Sequence, residues 1–476
     1  MDKKNNFIVE TLQRFGNAFV RFAQAIGRLF KGFIARFKDG STGTKVAHLI
    51  MGFGNLTHKQ YIKGALFFVL QIGFLLIFML NPEVNDTPIG FKALQNFITL
   101  GTEEGDLFGR LADNSMLMLL FGVVTFGLIV VFLAAYTANI KSSYASDLMV
   151  REGKKPLTFK EDLAELLDSR FHVLLITPTI IGVLTFTLLP TIFMIFIAFT
   201  DFDREVVPGL NLFNWVGFEN FAQIFTGSGE IANRFLPVLS WTITWAFFAT
   251  FSCYIGGILL ALLINKRTVR FKKLWRTVFI LTIALPQFIS LLAMQQILSE
   301  HGPVNAMLMN IGILDEPFAF LGQARTATTA RISVLTINLW IGVPYTMLMT
   351  SGILMNVPKD TYEAAQIDGA TKFQAFRNIT VPYIIFITTP YLITSFIGNI
   401  TSFNIIFLLT GGDPNVPGSV AGQTDLLVTW LYSLTIEEGD VNIGSVIAIF
   451  TFIITASATL LSYRRSKAYK EEDTFQ

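Results

Sequence analysis

The chain has 476 residues, of which 52% are hydrophobic and 15% charged, and its formal net charge is +2 at pH 7. Soluble domains carry about 25% charged residues, and the apolar excess here is concentrated in blocks of roughly 20 residues, the length that crosses a bilayer as a helix. The single cysteine, Cys253, excludes an internal disulfide and a cysteine-built metal site. The composition therefore indicates an integral membrane protein, in which Cys253 is predicted to be a packing residue.

The N-terminal segment predicts a basic helix on the membrane surface. It has no uninterrupted apolar core and no small-residue cleavage site, so it does not fit a signal peptide. Apolar residues recur at steps of three and four with arginines and lysines among them, which is the pattern of an amphipathic helix suited to an anionic membrane face. The apolar members are Phe15, Phe19, Phe22, Ile26, Phe30, Phe33 and Phe37.

Eight apolar segments are long enough to span the hydrocarbon core. They are Ala65–Leu80, which we expect to begin nearer Tyr61, Ser115–Tyr136, Val173–Phe199, Pro237–Ile264, Thr277–Leu298, Ile332–Met355, Tyr383–Thr410 and Ile443–Tyr463. The predicted fold class is therefore an all-α polytopic membrane protein with about eight transmembrane helices.

The distribution of charge between the segments predicts the orientation. With the N-terminus inside, most of the 36 lysines and arginines fall in cytoplasmic loops, as expected for a plasma-membrane protein with both termini in the cytoplasm. The predicted regions are a cytoplasmic N-terminal segment 1–60, two additional N-terminal spans 61–136, a cytoplasmic linker 137–171, a six-span core 172–465 and a cytoplasmic tail 466–476.

The predicted spans contain no internal acidic or basic residue, but two of them carry neutral polar stripes. Asn338, Gly342 and Tyr345 are spaced i, i+4, i+7 and share one helix face, and Ser395, Asn399 and Ser402 repeat that spacing. Unpaired amides and hydroxyls in lipid are costly, so both faces are expected to point inward. Rings, amides and hydroxyls suit a sugar, whereas the same residues also fit helix–helix packing.

The segment 358–382 reads as two short helices outside the membrane. Asp360 with Glu363, and Thr371 with Gln374, have the spacing of capping boxes. Between the two helices Asp368-Gly369 predicts a tight turn, and Pro382 is expected to end the unit. Phe373, Phe376 and Ile379 give the second helix an apolar face, as expected of a docking element.

This loop resembles the EAA loop of ABC-importer permeases. The resemblance rests on Glu363-Ala364-Ala365, then Gly369, Ile379 and Pro382, with Val381 where many members have leucine. It extends over roughly 170–465 and is strongest with maltose and maltodextrin permease subunits of the MalF type, which also carry two additional N-terminal spans. It implies the type I ABC importer permease fold. It also implies a coupling function for Glu363, Ala364, Ala365, Asp368, Gly369, Ala370, Phe376 and Pro382.

The same resemblance implies a sugar site midway across the membrane. The matching positions are Asn338, Trp340, Gly342, Tyr345, Ser395, Asn399 and Ser402. The implied partners are a second, MalG-like permease subunit, two cytoplasmic ATPase subunits that bind ATP and Mg, and an extracellular or lipid-anchored sugar-binding protein. No cofactor, metal site, catalytic residue or nucleic-acid partner is expected in this chain, because it contains no phosphate-binding loop and no catalytic constellation.

The sequence departs from the family pattern at two places, and other substrates and another class of transporter are alternatives. Gly398 stands where a stacking aromatic is expected, and the loop 200–236 is short where some relatives carry a large extracytoplasmic domain. Maltodextrin is the first substrate expected, with raffinose-type and galacto-oligosaccharides as alternatives. An ion-coupled secondary transporter is a different class, but it usually needs ionisable or ion-coordinating groups at membrane depth.

Overall fold

The computed structural model describes residues 24, 27–28, 30–84, 87–102, 114–206, 212–227, 229–266, 268–322, 326–356 and 359–465. They form two compact units. Unit 1 comprises Met1–Met194 with Val207–Asn214, and unit 2 comprises Ile195–Val206 with Trp215–Gln476. The tail 466–476 and four apolar residues of the predicted N-terminal helix (Phe15, Phe19, Phe22 and Ile26) lie outside the described residues.

Unit 1 is built on three long apolar helices, and a small hairpin follows the first of them. Its elements are α1 (30–39), α2 (Thr42–Ala47), α3 (Phe53–Thr57), α4 (Tyr61–Leu80), the antiparallel pair β1 (Glu83–Val84) and β2 (Thr87–Pro88), α5 (Phe91–Ile98), α6 (Ser115–Arg151), α7 (Phe159–Leu167) and α8 (Phe171–Ile197), whose last residues belong to unit 2. In α1, Phe33 and Phe37 pack edge-on against His48, whereas Phe30 and Ile34 are exposed.

A buried polar network joins the short helices of unit 1 to the C-terminal part of α6. The Asp147 carboxylate is 2% exposed and accepts hydrogen bonds from the backbone N–H and the hydroxyl of Ser41, at 2.8 and 2.7 Å. The His58 ring nitrogen lies 2.5 Å from the same carboxylate. The Asn139 side chain donates to Ala47 O and accepts from Gly52 N. Since buried polar groups are costly unless they are paired, this network fixes how the segment before α4 folds.

Unit 2 contains the remaining helices. They are α9 (Glu219–Thr226), α10 (Glu230–Asn265), α11 (Lys272–Ala284), α12 (Gln287–Ile297), α13 (Pro303–Asn310), α14 (Ala327–Asn356), α15 (Lys359–Ile367), α16 (Lys372–Ile400), α17 (Phe403–Leu409), α18 (Leu427–Tyr432), which continues as a π-helix over Ser433–Glu438, and α19 (Val441–Arg465).

The helices confirm the all-α polytopic prediction. In the described part of the chain, seven helices are long and apolar enough to cross a membrane, and α11 with α12 is an eighth span if the bent pair counts as one. The two halves of that pair meet at 94°, at Leu285-Pro286. Proline removes a backbone donor and clashes with the preceding turn, so it explains why this span is broken rather than straight.

Several predicted boundaries differ from the structure. The first span begins at Tyr61, as expected, but α6 continues beyond Tyr136 to Arg151, because no glycine or proline lies between Tyr136 and Gly153. The seventh span ends at Ile400 rather than Thr410, and α17 follows as a separate helix.

The predicted end of the hairpin at Pro382 is also wrong. The helix runs without interruption from Lys372 to Ile400 and passes through a π-turn at Phe376–Thr380. A π-turn displaces the hydrogen-bond pattern by one residue, and Pro382 lies in the first turn after it, where a missing N–H is tolerated. The helical hairpin and the seventh span are therefore one continuous rod.

Close packing of small residues joins α10 to α14. A Cβ atom added to Gly257 would lie 2.4 Å from Thr346 Cβ, and one added to Gly342 would lie 2.6 Å from Cys253 Sγ. Small residues let helix backbones approach closely in a membrane. Cys253 is 7% exposed in this contact, as expected for a packing residue.

Candidate functional site

A cavity of about 530 Å³ lies within unit 2, where the broken fifth span faces α14 and α16. Non-helical backbone at membrane depth is tolerated where it lines a cavity, which accounts for the position of the break. The lining residues are Thr282, Ile283, Ala284, Leu285, Pro286, Gln287, Ser290, Asn338, Ile341, Gly342, Tyr345, Tyr391, Asn399, Ser402 and Ile405.

The cavity brings the two polar stripes together. Five of the seven residues predicted to bind substrate line it: Asn338, Gly342, Tyr345, Asn399 and Ser402. The Asn399 amide donates to Thr250 Oγ1 at 2.9 Å, so its carbonyl oxygen keeps a fixed direction. Among the described residues, the Ser402 hydroxyl and the Asn399 side-chain oxygen have no hydrogen-bond partner. These groups are available to a polar ligand.

Trp340 and Ser395 are not among the residues that line the cavity. Trp340 follows Asn338 by two positions, about 200° around the helix, and its side chain is 52% exposed. Asn338 itself is 6% exposed, and its amide points at Cys253 Sγ, 3.4 Å away. The spacing argument thus identifies the cavity-facing stripe of α14, whereas Trp340 lies on another face.

Two parts of the cavity wall were not predicted. Tyr391 lies one helical turn before Ser395, so extending the stripe on α16 backwards would have found it. The segment 282–290 comes from the break in the fifth span, and a proline within an apolar segment was the available signal.

The cavity is electrically neutral. None of the described residues that line it is acidic or basic, and its polar groups are amides, hydroxyls and phenols. In the described part of the chain, no group of three or more His, Cys, Asp or Glu residues could hold a metal ion. The arrangement can therefore donate and accept hydrogen bonds and offer ring faces, which is the chemistry that an uncharged polyhydroxylated ligand requires.

The helical hairpin, formed by α15 and the first turns of α16, is a braced element. Gly369 has φ of +76°, a left-handed conformation that favours glycine, and it forms the predicted turn. Thr371 and Gln374 form the predicted capping box. The Tyr362 hydroxyl lies 2.7 Å from Thr380 Oγ1 and ties the two helices together.

The predicted cap at Asp360 is wrong, because α15 begins at Lys359 and places Asp360 within its first turn. An acidic residue in the first turn is still stabilised by the positive end of the helix dipole. Pro358 lies outside the described residues. The hairpin carries all eight predicted coupling residues, and its most exposed apolar side chains are Ile367 (86%) and Phe373 (68%).

The loop between the seventh and eighth spans is held by two partly buried arginines and contains a buried carboxylate. Arg234 donates to Ala421 O and Gly422 O, and Arg331 donates to Gln423 O. Burial raises the pKa of Asp425 to about 6, against the lowering effect of its hydrogen bonds, one of them from Gly422 N. The loop is therefore a fixed surface rather than a loose connection.

Comparisons with known proteins identify the class. The family model described as binding-protein-dependent transport system inner membrane component matches residues 253–467. The galactooligosaccharides transport system permease protein GanP of Bacillus subtilis is 32% identical over 427 residues, which cover 89% of this chain and 97% of that protein. The maltodextrin transport system permease protein MalC of Streptococcus pneumoniae is 32% identical over 431 residues, which cover 89% and 96%.

The fold also matches a solved importer. A bacterial ABC transporter involved in the import of the acidic polysaccharide alginate has a chain with a TM-score of 0.53 and 24% identity, and the match covers 64% of this chain and 98% of that chain. This likeness shows the fold alone. The sequence relatives and the family model establish that the chain belongs to the family of ABC-importer permease subunits, the inner membrane components of binding-protein-dependent transport systems.

Proposed function

We propose that the chain forms half of the translocation pathway of an importer for a neutral oligosaccharide, with the cavity as its share of the membrane binding site. The observation that carries this proposal is the meeting of Asn338, Gly342, Tyr345, Asn399 and Ser402 around a space without acidic or basic lining residues. A charged substrate would require counter-charges there, since burying an unpaired charge is costly.

Maltodextrin is the first substrate proposed, and galacto- or raffinose-type oligosaccharides are the alternatives. The names of the two sequence relatives support this class, one for maltodextrin and one for galactooligosaccharides. The neutral lining separates the proposed substrate from an acidic polysaccharide such as alginate. Trp340 and Ser395 remain predictions from the family resemblance, and neither lines the cavity.

Uptake measurements test this proposal. Cells that lack the gene, with and without its restoration, would be given labelled maltotriose in the presence and absence of a protonophore at constant ATP. We expect restored uptake that the protonophore does not affect. Collapse of uptake with the proton gradient would favour an ion-coupled transporter and overturn the proposal. If maltotriose is not taken up, a panel of galacto- and raffinose-type sugars decides between the substrates.

The helical hairpin is proposed to couple the pore to ATP hydrolysis. Its residues Glu363, Ala364, Ala365, Asp368, Gly369, Ala370, Phe376 and Pro382 would dock, with exposed Ile367 and Phe373, into a cleft of one of two cytoplasmic ATPase subunits. Because the hairpin and the seventh span are one rod, a movement of the hairpin would be transmitted directly to Tyr391 and Asn399. ATP and Mg would be bound by the ATPases and not by this chain.

A pair of substitutions at Gly369 tests the coupling proposal. Its added Cβ would meet nothing within 4 Å, so any effect comes from the positive φ and not from a clash. Gly369→Val is expected to strain the turn by about 1–2 kcal/mol and to lower sugar-stimulated ATPase activity of the assembled importer. Gly369→Asn should be milder, since asparagine tolerates this conformation. Equal activity of the valine variant and the wild type would contradict the proposal.

The remaining partners and the orientation complete the proposal. A second, MalG-like permease would supply the other half of the pore, and an extracellular or lipid-anchored binding protein would deliver the sugar to the face that carries the loop 411–442. Both termini would be cytoplasmic. A tag inserted between Pro414 and Gly418 should then be labelled on intact cells. Labelling only after permeabilisation would refute this topology.

A further inference from the structure

The cavity contains an aromatic corner contributed by two helices. The rings of Tyr345 on α14 and Tyr391 on α16 have centroids 5.6 Å apart and planes inclined by 32°. The Tyr391 hydroxyl lies 3.3 Å from Thr346 Oγ1, which orients its ring. Both residues line the cavity, and Tyr345 is 50% exposed. Two aromatic rings therefore meet at one place in the cavity wall.

The amide and hydroxyl groups lie at the other end of the same cavity. On α16, Asn399 follows Tyr391 by eight residues, or about 12 Å along the axis, and on α14 Asn338 precedes Tyr345 by seven residues, or about 10 Å. On both helices the tyrosine lies nearer the helical hairpin than the asparagine does, because α14 runs toward the hairpin and α16 runs away from it. The cavity therefore has an aromatic end near the hairpin and an amide end away from it.

No ring on α16 interrupts the space between these ends. Gly398 lies two turns beyond Tyr391 on the same face, and a Cβ added to it would meet nothing within 4 Å. No steric contact with the described residues therefore requires glycine at this position. On this side of the cavity Tyr391 supplies the only ring among the described lining residues of α16.

We propose that Tyr391 is a specificity-determining residue, which forms with Tyr345 a platform on which one sugar ring stacks while Asn338, Asn399 and Ser402 bind hydroxyl groups of another ring. This inference rests on the proposed function. A sugar ring has an apolar face that matches an aromatic face, and its rim of hydroxyls matches amides. Because the two ends lie about 10–12 Å apart, a single sugar ring contacts one end only. The cavity thus selects for sugars of at least two rings.

Uptake by the complete importer tests the inference. The importer, with its binding protein and ATPases, would be reconstituted in proteoliposomes and given labelled glucose, maltose, maltotriose and maltotetraose. The variants are Tyr391→Phe, which keeps the ring, and Tyr391→Leu and Tyr391→Ala, which remove it. Phe386→Leu is the matched control, because Phe386 is an exposed aromatic on the same helix outside the cavity. All variants share one binding protein, so its preference among the four sugars affects every variant equally and does not change the comparison between variants.

The expected result is a change in selectivity that follows the ring. Tyr391→Leu and Tyr391→Ala should lower the ratio of maltotriose uptake to glucose uptake by about three- to tenfold. If glucose is not transported, the ratio of maltotetraose uptake to maltose uptake should fall by the same factor. Tyr391→Phe and Phe386→Leu should keep the selectivity within about twofold of the wild type, and the Phe386→Leu control should also leave the ATPase activity without sugar unchanged.

Three results would overturn the inference. Wild-type selectivity in the leucine variant would show that Tyr391 only fills space. Loss of selectivity in the phenylalanine variant would assign the effect to the hydroxyl and not to the ring. Failure of both the leucine and the alanine variants to assemble would make the ring a packing element. If the wild-type importer itself transports no oligosaccharide, the proposed function fails, whereas unchanged selectivity with intact transport removes only the function of Tyr391.

Discussion

The polar residues of unit 1 and those of the cavity in unit 2 have opposite surroundings. In unit 1, Asp147 is surrounded by donors from Ser41 and His58, and the Asn139 amide is paired at both ends. In unit 2, Ser402 and the Asn399 oxygen face an open cavity. A polar group whose partners are all within the protein stabilises the fold, whereas one that faces a cavity is available to a ligand.

The largest expected effect concerns the network of unit 1. Asp147→Ala should destabilise the protein by about 3–5 kcal/mol, because it leaves the partly buried donors of Ser41 and His58 without their buried acceptor. The measurement is the thermal unfolding of the purified importer in detergent. The control is Asp162→Ala, which breaks a partly exposed ion pair with Lys63 and should cost about 1 kcal/mol or less. Equal effects of the two substitutions would show that the network does not carry the fold of unit 1.

A second prediction concerns a buried carboxylate with fewer donors. The pKa of Asp425 in the folded protein, about 6, lies above its ordinary value of 3.8 because burial outweighs its hydrogen bonds. The folded state therefore binds the proton more tightly than the unfolded chain. The resulting stabilisation is complete below pH 4 and is lost as the pH rises through 6, by about 3 kcal/mol in all.

The pH dependence of unfolding measures this effect. The difference in stability between the wild type and Asp425→Asn should change between pH 4 and pH 6 and stay constant above about pH 7, because the amide does not titrate. Arg234 and Glu437 are the charged groups that act on Asp425, in opposite directions. A difference that is flat over the whole range would contradict the assignment and would mean that Asp425 is solvated.

The smallest expected effect is a difference in sugar uptake between substitutions of two serines in one predicted stripe. Ser402→Ala should leave stability unchanged within about 0.5 kcal/mol and lower sugar uptake by about two- to tenfold, because a hydrogen bond contributes about 0.5–1.5 kcal/mol. Ser395→Ala is the matched control and should have little effect on uptake, since Ser395 does not line the cavity. The opposite order of effects on uptake would place the substrate away from the cavity.

Local patterns predicted much of the structure. Uncharged apolar runs of roughly 20 residues located the spans. The Thr371–Gln374 spacing predicted a capping box that is present, and Gly369 predicted its turn. These features depend on residues within one or two helical turns of each other, so they can be read without knowledge of the packing. The resemblance of the hairpin to a known permease loop then indicated the family, which the comparisons establish.

The tertiary structure decided which polar residues meet. Trp340 belongs to the matched motif, but the rotation of α14 places it outside the cavity lining, whereas Tyr391 lines the cavity because α16 faces α14 at that level. The sharp bend at Pro286 and the donors around Asp147 likewise depend on segments distant in sequence. The sequence by itself determined the class of protein and the positions of the membrane spans along the chain, because both are read from residues that are close together in sequence. The faces that enclose the cavity depended on how separate helices pack, which only the folded chain specifies.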